Sequence, residues 1–580
     1  MKKKLFPTAV ILAVFVLFLC LIPRQKNASE HNIFLLSELT GRYFKEELNS
    51  STLNLHYTLA DPAAYGITDH VISFGAVSGP DLTHARILTE NYQSSLEEID
   101  RSVLPAQEQF TYDVLAYTLD RTQKNLDWYY YQEPLSPSLG IQAQLPILLA
   151  EYAFYRESDI TDYLELLRQT EDYFASILAF EHEKSQKGLF MSDETLNAII
   201  SQCIDFINSA GESYLEELFE EKLAALPEIP TARRQLYRTR HKQILETCFY
   251  PAYEQLVNGL TALKGFGTNA QGLCGLYDGK VYYTHLIRTI TGTDRSPSET
   301  WDLLTDKRNE YAAGIQNLLA HNPEILSADA SLPAAHPADI LKALEQAVSK
   351  DFPALPATTT RMKEVHPSLQ QHSSPAFYLT PPLDRMQENT IYINPADNYT
   401  GIDLFTTLAH EGFPGHLYQT VYSHANCRNP LQSLINIGGY TEGWATYAEM
   451  YSYGLSGLAP ATAEFLRLNK AWTLNLYCAV DVGVHYYGWT PYDIYEFLSG
   501  YGADDSSICE EIFRTVIEDP GNYLRYYIGY LEFESLRARA SQALGDNFDQ
   551  KEYHQTLLSL GPAPFFLLQE GIDAYIAEKD

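Results

Sequence analysis

Basic side chains are scarce in this sequence. Its 580 residues include 41 Lys and Arg against 74 Asp and Glu, which gives a formal net charge of −33. No continuous basic run occurs outside the extreme N-terminus. Because nucleic-acid binding needs a positive surface that neutralises phosphates, the composition argues against nucleic acid as a partner. An acidic surface favours solubility and neutral or cationic partners, such as peptides.

Cysteines are few, and no pair forms a Cys-x-x-Cys motif. A zinc site built from thiolates needs such closely spaced pairs, so the sequence disfavours one. The sequence does not choose among disulfide pairings. Buried free thiols are the alternative, since a chain of this length can bury a core without disulfides. Six cysteines lie beyond the N-terminal segment: Cys203, Cys248, Cys274, Cys427, Cys478 and Cys509.

Low-complexity linkers and internal repeats are also absent from the sequence. This favours a mainly α-helical body over residues 31–580, either as a single domain or as two lobes, roughly 31–370 and 371–580. Apolar residues at three- and four-residue spacing predict the helices. Two short β-like runs, at 376–380 and 390–394, predict a small hairpin or sheet, which is either structural or an edge for an extended peptide. The predicted helical stretches before residue 300 are 31–50, 91–130, 145–180, 193–225 and 231–262.

The N-terminus has the pattern of an export segment. Three lysines precede an apolar run from Leu5 to Ile22, so residues 1–30 are predicted to be a signal or a membrane anchor with a linker. An uncleaved anchor and a cleaved signal are both open. A lipoprotein at Cys20 ranks third, because Leu19 is large for the position before an acylated cysteine. In each case the body is extracytoplasmic and meets the membrane only through this segment.

The segment His410-Glu-Gly-Phe-Pro-Gly-His416 has the residues of a zinc hydrolase. Two imidazoles bind the metal in such sites, and the glutamate, here Glu411, acts as general base. Six residues of α-helix turn about 600°, which leaves the second histidine about 120° from the first. Pro414 and the two flanking glycines predict a helix break that returns His416 to His410. The alternative is a plain helix end with two surface histidines.

A third metal ligand is expected a short distance downstream. Glu442 and Glu449 are seven residues apart, so they share one helical face, with small side chains between them. Glu442 is predicted to complete a His410, His416 and Glu442 set for one Zn²⁺ per chain. Its alternative is a first-turn glutamate favoured by the helix dipole, at a helix start over residues 441–443. Glu449 is a candidate to orient an imidazole.

Peptide hydrolysis also needs a donor for the developing oxyanion. Tyr526, Tyr527 and His485 can each donate, and Tyr526 and His485 are the preferred candidates. Asp481, four residues before His485, is positioned to fix its tautomer if that stretch is helical. The chain has 42 tyrosines, and most are expected to be packing residues. Arg537 is a candidate for binding a substrate carboxylate, or else a structural ion pair.

Four ordered blocks around these residues resemble the bacterial family described as "domain of unknown function 885". The family patterns are His-Glu-x-x-Pro-Gly-His-x-x-Gln, then Glu-Gly-Trp-Ala-x-Tyr-x-Glu, then Asp-x-Gly-x-His with a following Gly-Trp, and finally a Pro-Gly turn with Tyr-x-x-Gly and Leu-Arg. The matching residues are His410, Glu411, Pro414, Gly415, His416 and Gln419; Glu442, Gly443, Trp444, Ala445, Tyr447 and Glu449; Asp481, Gly483, His485, Gly488 and Trp489; and Pro520, Gly521, Tyr526, Gly529, Leu536 and Arg537, with Gly279 and Tyr283 upstream.

The resemblance implies a zincin-like helical fold with a deep cleft and metallopeptidase activity. It also makes Gln419 a candidate beside the metal or substrate. Two departures, Leu417 in place of a frequent second histidine and Asn522 in place of the turn glutamine, affect no expected ligand. The expected function is zinc-dependent hydrolysis of extracytoplasmic peptides. A non-catalytic peptide-binding or cell-envelope protein on the same scaffold, and a zinc amidase, are the alternatives, and the oligomeric state is left open.

Overall fold

The computed structural model describes residues 8–579 apart from short segments, with side chains described from residue 27 onward. The predicted export segment therefore lies mostly outside the described side chains. Within the described part of the chain, no helix is long and apolar enough to cross a membrane. The segments not described are 1–7, 76, 78–81, 210–213, 328–331, 333–335, 368–369, 371–373, 397–399, 428, 503–504 and 580.

The chain is mainly helical before residue 350, as predicted. The helix Pro297–His321 shows how the local sequence sets a boundary: Ser296 and Glu299 form a reciprocal capping box, with Pro297 at the first helical position. The helices of this part are α1 (Thr8–Asn49), α2 (Thr52–Thr58), α3 (Leu82–Glu97), α4 (Ala106–Asp127), α5 (Ile141–Glu151), α6 (Glu157–Lys187), α7 (Asp193–Asn208), α8 (Tyr214–Ala224), α9 (Thr231–Ile244), α10 (Tyr250–Ala262), α11 (Gly279–Thr291), α12 (Pro297–His321) and α13 (Pro337–Val348).

Three of the long predicted helices are divided in the structure: 193–225 comprises α7 and α8, and 91–130 and 145–180 are each interrupted at capping residues. The stretch 91–130 is interrupted between α3 and α4, where Asp100 caps a short 3-10 turn and Pro105 precedes α4. The stretch 145–180 is interrupted before Glu157, where Arg156 and Asp159 begin α6 with a capping box. The apolar spacing continues across the breaks in 91–130 and 145–180. Periodicity alone therefore predicts one helix in each stretch, whereas the capping residues divide each stretch into two.

A three-stranded sheet precedes the second helical part. Strands β2 (Ala376–Leu379) and β3 (Glu388–Ile393) form the predicted antiparallel hairpin. Strand β1 (Thr359–Glu364) pairs parallel to β3, so the order is β1-β3-β2 and β2 lies at an edge. Strand β1 was not predicted, because its mostly exposed polar residues have no apolar alternation.

Helices follow the sheet to the end of the described chain. A π-helical turn, Gly483–Tyr487, directly extends α17. The helices of this part are α14 (Gly401–Glu411), α15 (His416–Asn426), α16 (Gly438–Ser452), α17 (Pro460–Val482), α18 (Pro491–Ser499), α19 (Ser506–Glu518), α20 (Asn522–Leu544), α21 (Gln550–Leu560) and α22 (Phe565–Lys579).

Contacts group the chain into two compact units. The smaller comprises Met1–Glu47, Asp81–Asp127 and Asn429–Ile435, and its core includes Leu36, Tyr92 and Leu115. The larger comprises Leu48–Pro80, Trp128–Arg428 and Asn436–Asp580, and its main core lies among α5 to α10. All the candidate site residues belong to the larger unit. The six cysteines beyond the N-terminal segment are free thiols.

Candidate metal centre

The expected break in the His410–His416 segment is present. Helix α14 ends at Glu411 and α15 begins at His416, with a cis peptide bond between Phe413 and Pro414. The rings of His410 and His416 pack edge to face, with their centroids 4.8 Å apart. Two short helices therefore bring together imidazoles that a single regular helix would direct about 120° apart.

Close backbone contact holds this turn. The Gly415 N–H donates to the Ala409 carbonyl at 2.9 Å. A Cβ atom at Gly415 would lie only 1.8 Å from the His410 carbonyl oxygen, so no larger residue fits. The fully buried Trp444 on α16 donates its indole N–H to the Pro414 carbonyl at 2.8 Å. This bond ties the first sequence block to the second.

Glu442, the predicted third ligand, lies beside both imidazoles. Its Oε2 lies 3.6 Å from His410 Nε2 and 3.3 Å from His416 Nε2. Two ligand atoms at 2.0–2.2 Å from a tetrahedral zinc ion are about 3.3–3.6 Å apart. Helix α16 begins at Gly438, earlier than the predicted start at residues 441–443, and the Glu442 side chain is 24 % exposed.

Glu411 lies beside the same histidines. Ligand atoms of His410, Glu411 and His416 lie within 4.8 Å of one another. The Glu411 Oε2 accepts a hydrogen bond of 2.9 Å from the backbone N–H of Tyr378 on β2. The small sheet thus meets the candidate general base directly.

Glu449 occupies the position expected of a group that orients an imidazole. Its Oε2 lies 3.3 Å from His410 Nδ1, and its Oε1 forms a 2.9 Å ion pair with Lys470 on α17. Burial lowers the pKa of His410. Hydrogen bonds with Glu442 and Glu449 and the nearby carboxylate charges outweigh burial and raise this pKa to about 10. The centre therefore attracts positive charge strongly.

Tyr526 is the predicted oxyanion donor that the structure places at this centre. Its ring stacks on His410, with the centroids 6.2 Å apart and the planes 24° apart. Burial first, and then the charge of Glu442, raises the pKa of Tyr526 well above its usual value, so the phenol keeps its proton. Within the described residues its hydroxyl has no protein hydrogen-bond partner.

Glycines bring the Tyr526 helix close to the ligand helix. A Cβ at Gly443 on α16 would lie 2.5 Å from the Gly529 Cα on α20, and a Cβ at Gly529 would lie 2.1 Å from the Gly439 carbonyl oxygen. The two backbones touch at these residues. Since Gly443 follows Glu442 and Gly529 lies one turn after Tyr526, this contact sets the spacing between the candidate ligand and the candidate donor.

His485, the second predicted oxyanion donor, makes its described hydrogen bonds to backbone groups rather than to the histidines and glutamates of the centre. It is fully buried in the π-helical turn. Its Nδ1 accepts from the Leu273 N–H at 3.1 Å, and its Nε2 pairs with the Val516 carbonyl at 2.9 Å. Burial lowers the pKa of His485 to about 4. Both ring nitrogens are used, so it has no proton to offer an oxyanion.

Asp481 supports α20 rather than His485. Its carboxylate accepts from the Tyr283 hydroxyl at 2.5 Å and from the Gly521 N–H at 2.7 Å, at the start of α20. The expected four-residue pairing fails because the backbone changes to π geometry at Gly483, which alters side-chain direction. The third block and Tyr283 therefore anchor the helix that carries Tyr526.

Arg537 and Gln419 also have structural partners. Arg537 Nε donates to Gln550 on α21 at 2.7 Å. It lies eleven residues beyond Tyr526, about 16 Å along α20, so substrate binding by Arg537 at the centre is not supported. This hydrogen bond to the side-chain amide of Gln550 takes the place of the expected ion pair. The buried Gln419 donates to the Tyr440 carbonyl at 3.3 Å and joins α15 to α16.

Two groups at the centre were missed by sequence reasoning. Lys470 lies in α17, far along the chain from Glu449, and no motif marks it. The Tyr378 N–H is a backbone group, which a sequence pattern does not identify. The predicted strand at 376–380 was the available signal, because an edge strand presents outward N–H groups.

The residues present fit a zinc ion. Two imidazoles and one carboxylate form a borderline-soft donor set of the kind that zinc prefers. The distances from Glu442 Oε2 to the two imidazole nitrogens match the separation between ligand atoms around a tetrahedral zinc ion. Glu449 is placed to fix the His410 tautomer. Three carboxylates surround two histidines here, and a divalent cation neutralises that excess of negative charge.

These features define a mainly helical protein with a candidate centre of two histidines and one glutamate. The chain belongs to the family described as "Bacterial protein of unknown function (DUF885)", which matches residues 66–572. The resemblance of the four blocks is thereby confirmed as family membership. No curated protein matches the chain.

Two solved structures are similar to this fold. One is described as "the putative lipoprotein from Colwellia psychrerythraea"; it is 21 % identical, with a TM-score of 0.79 over 95 % of this chain and 100 % of that chain. The other is described as "a putative lipoprotein of unknown function from Shewanella oneidensis"; it is 15 % identical, with a TM-score of 0.62 over 92 % of this chain and 99 % of that chain. At these identities the likeness concerns the fold.

Proposed function

We propose that this protein is a zinc-dependent hydrolase of peptide bonds with a zincin-like centre. The observation that carries the proposal is the position of Glu442 Oε2, 3.6 Å from His410 Nε2 and 3.3 Å from His416 Nε2, with Glu411 alongside. His410, His416 and Glu442 would hold one Zn²⁺. A zinc ion there would lower the pKa of a water molecule to near neutral and polarise a carbonyl oxygen.

Residues of the chain supply proton transfer, oxyanion stabilisation and orientation of a metal ligand. Glu411 takes a proton from the water as its oxygen adds to the carbonyl carbon. Glu411 returns that proton to the amine nitrogen as the C–N bond breaks. The Tyr526 hydroxyl donates to the oxyanion, and Glu449, held by Lys470, orients His410.

The proposed location is extracytoplasmic. Residues 1–30 have the pattern of an export segment, and the two solved structures named above are each described as a "putative lipoprotein". Substrates would then be peptides of the cell envelope or its surroundings. The net charge of −33 favours neutral or cationic ones.

The test combines metal analysis with substrate screening. The purified protein is expected to contain one zinc per chain and to cleave members of a peptide library, read by mass spectrometry, with cleavage lost after chelation. Glu411→Gln should keep its zinc and lose about 100-fold or more of its activity, whereas His410→Ala should lose the metal. Glu345→Gln, at an exposed glutamate on α13, is the matched control.

The possible outcomes distinguish a zinc peptidase from a non-catalytic binding protein and from an amidase. Wild-type protein without stoichiometric metal contradicts the centre itself. Full peptide hydrolysis by zinc-loaded Glu411→Gln contradicts the general-base role. Zinc without turnover on a broad peptide library favours a non-catalytic binding protein, and turnover confined to cell-wall amides favours an amidase.

A further inference from the structure

Strand β2 presents one of its backbone N–H groups to the candidate centre. The Asn394 N–H donates to the Pro375 carbonyl at 2.8 Å, and Tyr378 lies opposite Ile391 in the antiparallel register. Hydrogen-bonded and non-hydrogen-bonded pairs alternate in such a ladder. Tyr378 is therefore in a non-hydrogen-bonded pair, and its N–H points away from β3, where it meets Glu411 Oε2 at 2.9 Å.

Two carboxylates compete for the same position beside the histidines. Glu442 Oε2 lies at ligand spacing from both imidazoles. Glu411 also has a ligand atom within 4.8 Å of those of His410 and His416. The chemical groups are identical, so side-chain type does not decide which one binds the metal. The hydrogen bond from Tyr378 distinguishes them, because it restrains Glu411 alone.

We propose that the backbone N–H of Tyr378 is a positioning group that keeps Glu411 off the metal and available as the base. This inference rests on the proposed function. A hydrogen bond to a charged carboxylate is among the stronger ones in proteins, and it holds Oε2 at the strand. The other oxygen, Oε1, has no protein hydrogen bond within the described residues and is the atom that takes the proton.

Proline at position 378 removes this N–H together with the Tyr378 side chain, but it removes no backbone hydrogen bond between β2 and β3. An edge strand accepts proline where the N–H faces outward, and the residue before it, Phe377, is already extended. In the full-length Tyr378→Pro protein, Glu411 loses its restraint and is displaced toward the metal. The zinc-loaded variant should retain its KM, while its kcat falls about 10–100-fold.

Cobalt reports the coordination directly and without turnover. Replacing zinc by Co²⁺ gives a visible absorption spectrum that depends on the number and geometry of the ligands. Tyr378→Pro should change this spectrum because Glu411 joins the metal, and adding Glu411→Gln in the same background should restore it. An unchanged spectrum in folded, cobalt-loaded Tyr378→Pro overturns the inference.

Two control variants separate the N–H from other effects. Ala376→Pro introduces proline on the same strand, at the neighbouring outward-facing position. Tyr378→Phe keeps the N–H and removes only the hydroxyl that donates to Asn389 at 2.7 Å. Both are expected to keep the wild-type cobalt spectrum. A spectral change in either of them equal to that of Tyr378→Pro contradicts the assignment to the N–H.

Hydrogen exchange covers the case in which Tyr378→Pro does not fold. If Glu411 holds the Tyr378 amide, Glu411→Ala should speed its deuterium exchange about tenfold or more, and an unchanged rate overturns the inference. Wild-type protein that takes up neither zinc nor cobalt overturns the proposed function as well. Normal cobalt uptake without a Tyr378→Pro effect overturns only the positioning role.

Discussion

Gly415→Ala is expected to separate the two histidines of the centre. A Cβ at this position would lie 1.8 Å from the His410 carbonyl oxygen and 2.5 Å from that of Ala409. Real Cβ atoms essentially never approach other heavy atoms closer than 3.0 Å, so the backbone must open by at least the difference, 3.0 − 1.8 = 1.2 Å. Both neighbours are main-chain atoms, so no side-chain rotation relieves the clash.

The consequence for metal binding follows from the tolerance of such sites. Ligand distances in a metal centre hold to about 0.2 Å, so a displacement of this size removes His416 from the metal. Losing a group that merely orients a ligand costs about 10–100-fold in affinity. Losing a ligand should therefore cost at least about 100-fold in zinc affinity. The overpacked turn should also cost about 1–3 kcal/mol in the free energy of unfolding.

Competition with a chromogenic chelator measures the zinc affinity, at a temperature where circular dichroism shows the variant folded. Gly454→Ala is the matched control, because its Cβ meets nothing within 4 Å. His416→Ala sets the affinity expected when that ligand is absent. A folded Gly415→Ala protein that binds zinc as tightly as the wild type would refute the pairing of His410 and His416 across this turn.

Three further predictions concern Lys470 and Tyr526 at the centre and the buried His485. Lys470→Met should weaken zinc binding about 10–100-fold by releasing Glu449. Unchanged zinc affinity in the chelator assay would show that the Lys470–Glu449 ion pair does not support the metal centre. Tyr526→Phe should keep its zinc and lose about 100–1000-fold in kcat, and a normal kcat would show that the ring only packs. His485→Gln can keep both hydrogen bonds but does not titrate. The folded-state pKa of His485 is about 4, below the unfolded value of 6.5, so its stabilisation is complete above pH 6.5 and is lost as the pH falls through 4. Chemical denaturation should therefore show wild-type protein losing up to about 3 kcal/mol relative to the variant over this range, and a pH-independent difference would contradict buried neutral His485.

Local residue types decided much of what could be predicted from the sequence. The helix break at residues 412–415 follows from proline and glycine, whose backbone preferences act without any tertiary contact. The cap at Ser296 is equally local. Glu442 and Glu449 share a face because seven residues make nearly two helical turns, whatever the helix packs against.

Long-range contacts decided the rest. Tyr526 and His485 were equal candidates for the oxyanion donor, since both residue types donate protons and both lie in matching blocks. The structure separates them: Tyr526 stacks on His410, while His485 is held by Leu273 and Val516. Leu273 lies 212 residues from His485 in the chain, and no sequence pattern near His485 predicts a partner at that distance.

By itself, the sequence determined the chemistry available: two imidazoles, a base and a third carboxylate, with the glycines and proline that let them meet. Only the tertiary structure decided which distant groups contact them. Strand β2 reaches Glu411, Lys470 reaches Glu449, and the Gly443–Gly529 contact brings Tyr526 to the ligands. The physical reason is that residue type and spacing set local conformation, whereas contacts between distant elements depend on how the whole chain packs.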